Sequence, residues 1–247
     1  MSIKIENQIA FVTGSNRGIG RGFVQELLNR GASKVYATAR NTESLSELAS
    51  QNPGRVVLLN LDVTDEKQVA EAVGAAQDVT LLINNAGALG GEDLFTGDIA
   101  KARLEFEVNY WGVLYLTRAF APILKSNGGG GIITLSSVAG LTSFPLIPTY
   151  SDSKAAIHSL IAGIRFLLAE QNTFVAGVYP GPIDTDMAKG MEMEKATVEA
   201  AVNKVFDDVE NGVEDVFTDA FADNYKEAYF AGQKTLEKMV TGMLQPA

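Results

Sequence analysis

Hydrophobic positions along the chain follow two alternating rhythms. Short apolar runs at residues 8–13, 34–39, 56–60, 80–83, 132–135 and 173–179 have the length and bounding glycines, asparagines or prolines of buried strands. Between them the apolar positions recur at helical spacing. Phe23, Val24, Leu27 and Leu28 share one helix face, and Val69, Ala72 and Val73 share another after Asp65. A long helix is predicted over residues 101–125, and a further one from Tyr150 to about Glu170. Strands alternating with helices imply βαβ units, right-handed crossovers and an α/β, doubly wound parallel sheet. Beyond Thr185 the pattern thins to a weak strand at residues 214–217, followed by a helix over residues 220–243 that forms a C-terminal extension.

In an open parallel sheet, ligands bind beyond the carboxyl ends of the strands, so those ends are where a binding site is expected. The first strand runs into Gly14, Ser15, Asn16, Arg17, Gly18, Ile19 and Gly20 before a helix begins. Glycines at such a turn admit a ligand close to the backbone, and the helix N-terminus offers N–H groups to a pyrophosphate. The spacing G-x-x-x-G-x-G is one residue longer than the common dinucleotide fingerprint. After the second strand, Ala39 and Arg40 stand where an acid would bind a ribose 2′-hydroxyl. Arg40 and Arg17 together suit a 2′-phosphate, which points to NADP as preferred cofactor with NAD possible. The third strand ends at Leu61, Asp62 and Val63, where Asp62 is placed to meet an adenine amine. The fourth ends at Asn84, Asn85, Ala86 and Gly87, and the sixth at Pro180, Gly181, Pro182, Ile183, Asp184 and Thr185.

Composition narrows the class. The 247 residues are 46% hydrophobic and fit one large α/β unit, so a single domain over residues 1–247 is expected. A net charge of −10, from 20 basic and 30 acidic residues, argues against nucleic acid or an anionic membrane as main partner. With no cysteine and only His158, neither thiolate nor multi-histidine metal sites are available, and no metal is expected. The absence of a signal peptide or an apolar run of membrane-spanning length makes a cytoplasmic protein the expectation.

The chemistry centres on Tyr150 and Lys154. Four residues apart, they stand on one helical face. A nearby ammonium favours an ionised phenol, and a phenol lowered in this way suits general acid–base work near neutral pH.

Taken in order, Thr13-Gly-x-x-x-Gly-Ile-Gly20, Asn84-Asn-Ala-Gly87, Asn109, Ser137, Tyr150-x-x-x-Lys154 and Pro180-Gly181 resemble the short-chain dehydrogenase/reductase family in its compact, NADP-preferring branch. The likeness covers residues 5–185. It implies a Rossmann-type fold with a cofactor half of about residues 1–130, a catalytic and substrate half of about 131–218, and a tail of about 219–247. It also implies a tetrad of Asn109, Ser137, Tyr150 and Lys154. Tyr150 would protonate a carbonyl oxygen that Ser137 also holds. Lys154 would lower the Tyr150 pKa and bind the nicotinamide ribose, and a helix break at Asn109 would hold a water. The implied activity is NADP(H)-dependent interconversion of ketones and secondary alcohols, as a carbonyl reductase or alcohol dehydrogenase. A 3-ketoacyl-type reductase and a non-catalytic dinucleotide-sensing regulator are the alternatives. The family's substrate lid would fall at residues 187–194, whose Met187, Met191 and Met193 suit either adaptable apolar surface or core. Val138, Phe144, Leu146, Met187 and Met191 flank the motifs and predict a pocket for small hydrophobic ketones or alcohols. The helix after Tyr150 carries Ile157, Leu160, Ile161, Ile164, Phe166, Leu167 and Leu168 over more than one stripe. That second stripe predicts a homo-oligomer, dimer or tetramer.

Overall fold

The computed structural model describes residues 1–242. Seven strands, β1 (Ile9–Val12), β2 (Lys34–Ala39), β3 (Val56–Asn60), β4 (Leu81–Asn84), β5 (Gly130–Leu135), β6 (Thr173–Tyr179) and β7 (Asp215–Phe217), form one sheet of order β3-β2-β1-β4-β5-β6-β7. Every pairing is parallel, with Phe11 opposite Tyr36 on one side of β1 and Leu82 on the other. Parallel strands are covered on both faces, which is why they read as apolar runs rather than as alternating ones. Alternate side chains nevertheless serve different faces. Ala10 and Val12 pack on one side of the sheet with Phe23, Leu27 and Phe206, whereas Phe11 packs on the other with Leu116, Phe120 and Ile161.

The first of these layers is built from α1 (Gly18–Asn29), α2 (Ser46–Gln51) and α7 (Val198–Glu210); the second contains α3 (Glu66–Gly74), α5 (Gly112–Ser126) and α6 (Pro148–Leu168). Asp65 caps α3, its side chain accepting the Lys67 and Gln68 N–H groups, which fixes the start that the sequence places there. Neither α2 nor α7 was expected from the sequence.

Two predicted helices are interrupted. The stretch expected over residues 101–125 runs as α4 (Ile99–Phe106), a π-helical turn at Glu107–Trp111, and then α5. Such a turn widens the helix by one residue and is frequent at functional sites. Here it carries Asn109, whose side chain bonds outside its own helix. The C-terminal helix divides at Gly232, where φ is +120°, into α8 (Ala220–Ala231) and α9 (Gln233–Gly242). A left-handed φ of this kind suits glycine and ends the first helix. Met243 and the rest of the expected tail lie outside the described residues. The α8–α9 hairpin closes a third apolar cluster that holds Tyr179, Phe217, Tyr225, Leu236 and Val240. No helix among the described residues is long and apolar enough to cross a membrane.

Candidate active site

All carboxyl ends of the strands open on one edge, and a single cavity of about 1120 Å³ runs along it. One end of it begins at the loop between β1 and α1. Gly14 and Gly18 have φ of +63° and +52°, a conformation that favours glycine. A Cβ on Gly20 would strike the Gly14 carbonyl oxygen, and one on Gly14 would come within 3.0 Å of Ala86 Cα. The loop is therefore pressed against the end of β4. Thr13 Oγ1 accepts the Asn85 and Ala86 N–H groups at 2.9 and 3.0 Å, and Asn85 Nδ2 donates back to the Thr13 and Gly14 carbonyls at 2.8 and 3.1 Å. Helix α1 has no side-chain cap, so its first N–H groups face the cavity beside Gly18, Ile19 and Gly20. Uncapped N–H groups at a helix N-terminus, bared by residues without a Cβ, fit a pyrophosphate.

Asn16, Arg17, Arg40, Asp62, Val63, Asn85, Ala86 and Gly87 line the same cavity. So do Pro180, Gly181, Ile183 and Thr185. Arg40 is exposed and pairs with no acid among the described residues. Asp62 Oδ1 accepts the Thr64 N–H and hydroxyl at 3.0 and 2.7 Å, which orients the carboxylate at the cavity wall. Arg17 differs from the expectation that it is free for a phosphate. Its guanidinium bonds Asp186 Oδ2 at 3.1 Å, and Lys189 holds the other oxygen of Asp186 at 2.6 Å. Asp186 lies 169 residues from Arg17 in the chain, so no sequence motif links the two.

Asn84 is a correction. As the last residue of β4 it is buried, and its Nδ2 donates to the Thr117 and Thr134 hydroxyls at 3.4 and 3.3 Å. It lies behind the cavity wall and not in it, because strand alternation turns it to the interior. Asn109 also stands behind the wall. Its Oδ1 accepts the Ala88 N–H at 2.9 Å, and its Nδ2 donates to the Ala88 carbonyl and to Ser153 Oγ, each at 2.9 Å. The amide thus fastens the chain after β4 to helix α6. Gly87 threads between Asn109 and Lys154: a Cβ there would lie 3.4 Å from Asn109 Oδ1 and 3.9 Å from Lys154 Nζ.

At the far end, Ser137 follows β5 and Tyr150 and Lys154 lie in the first turns of α6, where Pro148 starts the helix. Tyr150 is 9% exposed and Lys154 4%. Lys154 Nζ sits 5.6 Å from the Tyr150 ring centroid and donates to the Leu135 carbonyl at 2.9 Å. Ser136, missed in the sequence, donates to the Lys154 carbonyl at 3.2 Å and holds that turn against β5. Ser137 Oγ donates to the Pro180 carbonyl at 3.4 Å and accepts the Ala139 N–H at 3.1 Å, which holds its hydroxyl near the Tyr150 phenol. The phenol differs from the expectation of a lowered pKa. Burial lifts it well above its ordinary value, the neighbouring Ser137 hydroxyl pulls it back, and the Glu105 carboxylate adds to the rise. Burial also draws the Lys154 ammonium down to about 8. Spacing along a helix reveals a cation partner but not the depth at which both groups are buried. The outcome is a phenol that holds its proton at neutral pH.

The five predicted pocket residues, Val138, Phe144, Leu146, Met187 and Met191, all line this end, joined by Met193, Phe221 and Val240. The three methionines therefore face the cavity rather than the core. Phe221 and Val240 come from α8 and α9, and Phe221 stacks on Tyr225 at 4.8 Å, which in turn meets Phe144 at 5.2 Å. Asp219 caps α8 and also accepts the Gly181 N–H at 2.9 Å, tying the hairpin to the end of β6.

Comparison with known proteins supplies the remaining context. Residues 8–196 match the family model described as short chain dehydrogenase. A short chain dehydrogenase from Burkholderia cenocepacia J2315, solved in complex with NADP, is 40% identical with a TM-score of 0.91, covering 99% of this chain and 100% of that one. The NADPH-bound carbonyl reductase from chicken fatty liver is 30% identical with a TM-score of 0.78, over 83% of this chain and 92% of that one. The 7alpha-hydroxysteroid dehydrogenase of Escherichia coli K12 is 30% identical over 196 residues, 77% of this chain and 76% of that protein. The likeness read from sequence motifs fades after Thr185, whereas the Burkholderia structure also spans the α8–α9 hairpin.

Proposed function

Since the chain belongs to the short-chain dehydrogenases, a family of oxidoreductases, we propose that it is an NADP(H)-dependent carbonyl reductase or alcohol dehydrogenase acting on small hydrophobic ketones and secondary alcohols. One observation carries this reading: a single cavity joins an uncapped, glycine-bared helix N-terminus to a buried Tyr150 phenol. The loop from Gly14 to Gly20 would hold the pyrophosphate, Asp62 and Val63 the adenine, and Lys154 the ribose next to the nicotinamide. When bound, the dinucleotide supplies a hydride to the carbonyl carbon. Tyr150 gives its proton to the carbonyl oxygen, and Ser137 donates a second hydrogen bond to that oxygen as negative charge develops there. Lys154 offsets the charge left on the phenolate, which regains its proton from solvent. In oxidation the same groups run in reverse, with the phenolate taking the alcohol proton. Asn109 holds the Ala88 backbone in place against α6.

Arg40 and Arg17 support NADP over NAD, and so does the NADP carried by the Burkholderia relative. A charge-assisted hydrogen bond contributes about 1.5–3 kcal/mol, and tenfold in affinity is about 1.4 kcal/mol. At an exposed site the lower end applies, so Arg40→Ala should weaken NADPH roughly tenfold and leave NADH nearly untouched. Arg17→Ala should cost less, because Arg17 must first release Asp186. The experiment is steady-state reduction of a panel of ketones with each nucleotide, by wild type and both variants. Aryl and alkyl ketones should exceed polyols and ketoacids in kcat/KM, with NADPH the better donor. Dominance of anionic substrates or of NADH would overturn the reading. The same preparation should scatter light as a dimer or larger, because Phe166 and Leu167 of α6 stand 82% and 75% exposed. The apolar cavity and the intact Tyr150 and Lys154 pair favour this enzyme over a carrier-linked ketoacyl reductase or a catalytically silent sensor.

A further inference from the structure

A loop at the mouth of the cavity is fastened to the glycine-rich turn by an ion pair. Its base is a parallel bridge between Ile183 and Ala196. There the Asp184 N–H donates to the Ala196 carbonyl at 2.9 Å, and the Ala196 N–H to the Pro182 carbonyl at 3.0 Å. Residues 184–195 run between these ends and open with a helical turn at Asp186–Ala188. Met187, Met191 and Met193 of this loop line the cavity, and so do Arg17 and Arg40. The loop passes close to the turn after β1, since a Cβ on Gly18 would lie 3.3 Å from Thr185 Cγ2. Among the described residues, the 3.1 Å bond from Arg17 to Asp186 is the one hydrogen bond that reaches residues 186–195 from outside the loop and its base. Lys189, on the loop itself, holds the second carboxylate oxygen of Asp186 at 2.6 Å.

We propose that Asp186 is a specificity-determining residue that competes with a 2′-phosphate for Arg17, so that NADP(H), unlike NAD(H), also unfastens the methionine loop. The proposal deepens the reading of Arg17 and Arg40 as the 2′-phosphate site and rests on it. Asp186 is a standing anion, because the bonds from Lys189 and then Arg17 hold its carboxyl below the ordinary value. Arg17 meeting both anions at once would set a carboxylate beside a phosphate, and like charges at that range repel. The pair can part readily. Its side chains are 66% and 46% exposed, and an exposed ion pair shifts an equilibrium by only about two- to fivefold. Arg40 pairs with no acid among the described residues, so it stands ready for the phosphate without an exchange. A bare 2′-hydroxyl carries no charge to draw Arg17 away, and with it the loop stays fastened. The coupling is reciprocal: whatever holds Arg17 on the loop weakens the 2′-phosphate site by the same factor.

The test titrates NADPH and NADH, by nucleotide fluorescence, against wild type, Arg17→Ala, Asp186→Asn and the double variant. Asp186→Asn should tighten NADPH about threefold, the weight of an exposed ion pair, and the gain should vanish once Arg17 is gone. NADH controls for charge alone. Any general effect of removing an acid, or of freeing Lys189, acts on both nucleotides and persists without Arg17. Trypsin cleavage after Lys189 and Lys195 reports on the loop. Wild type saturated with NADPH should be cut there about threefold faster than wild type saturated with NADH, because cleavage follows the population of the open form. Arg17→Ala should be cut alike with either. No gain in NADPH affinity for Asp186→Asn, a gain that survives in the double variant, or equal cutting of wild type under both nucleotides would overturn the proposal. Arg17→Ala and Arg40→Ala decide the reading beneath it. If neither weakens NADPH, the two-arginine site fails; if they do while the cycle is additive, only the present inference fails.

Discussion

Tyr150→Phe should lose two to four orders of magnitude in turnover, the range that a positioned general acid contributes. Nucleotide affinity should stay within about threefold, because the substitution keeps the ring over Lys154 and removes only the hydroxyl. The fold should hold as well. Tyr150 is 9% exposed, and the nearby Ser137 hydroxyl keeps the Ala139 N–H at 3.1 Å and the Pro180 carbonyl at 3.4 Å once the phenol is gone. Steady-state kinetics with a nucleotide titration by fluorescence would measure both effects. Retention of a tenth or more of wild-type kcat would remove Tyr150 from the proton transfer.

Lys154→Met should abolish turnover and, in addition, change how stability responds to pH. Burial holds the native ammonium at about 8, against 10.5 for the exposed group in the unfolded chain. Between those values the unfolded chain binds more protons than the native protein, so stability rises with pH. The penalty is fully present below about 8 and is gone once pH exceeds 10.5. A shift of this size corresponds to about 3 kcal/mol at 1.36 kcal/mol per unit. The variant lacks the titrating group and should lack that part of the slope. Urea unfolding of both proteins at neutral and at high pH isolates the difference, since groups away from Lys154 titrate alike in the two. Relative to the variant, wild type should gain about 3 kcal/mol across the interval. Parallel curves would mean that the lysine is solvated or paired in a way its burial does not suggest. The arrangement places a cost in stability at a position where a cation is wanted.

The sheet was legible because a strand covered on both faces must be apolar throughout. β2, β3 and β6 begin and end where the apolar runs do. Their carboxyl ends were legible through residue type: glycine where backbones meet, asparagine and proline where chains turn. Helix α7 carried its own signals, with Thr197 capping it and Val202, Val205, Phe206 and Val209 at helical spacing, yet it lies past the last motif and was passed over. Helix α2, at six residues, is too short to display a period. The π-helical turn had no local signature. It is accompanied by bonds from Asn109 to Ala88 and Ser153, contacts between segments 21 and 44 residues away. Asn84 was misplaced for a related reason, since a motif gives residue type but not which face of a strand end it occupies. Arg17 and Asp186 are a pair that only the folded sheet brings together.

The bonds between Thr13 and the Asn85–Ala86 backbone cross the line where β1 meets β4, joining residues 72 and 73 positions apart in the chain. Contacts at such separation are slow to form, because the intervening loop must be closed before anything is gained. The loop proposed to hold the pyrophosphate is thus incomplete until the middle of the sheet has zipped shut. Any dinucleotide gripping both lips of this line acts as a removable crosslink on it. At a hundred times its dissociation constant, such a ligand adds about 2.7 kcal/mol to the closed state. Saturating nucleotide should therefore lower the fraction of chains open along this line and reduce their proteolysis.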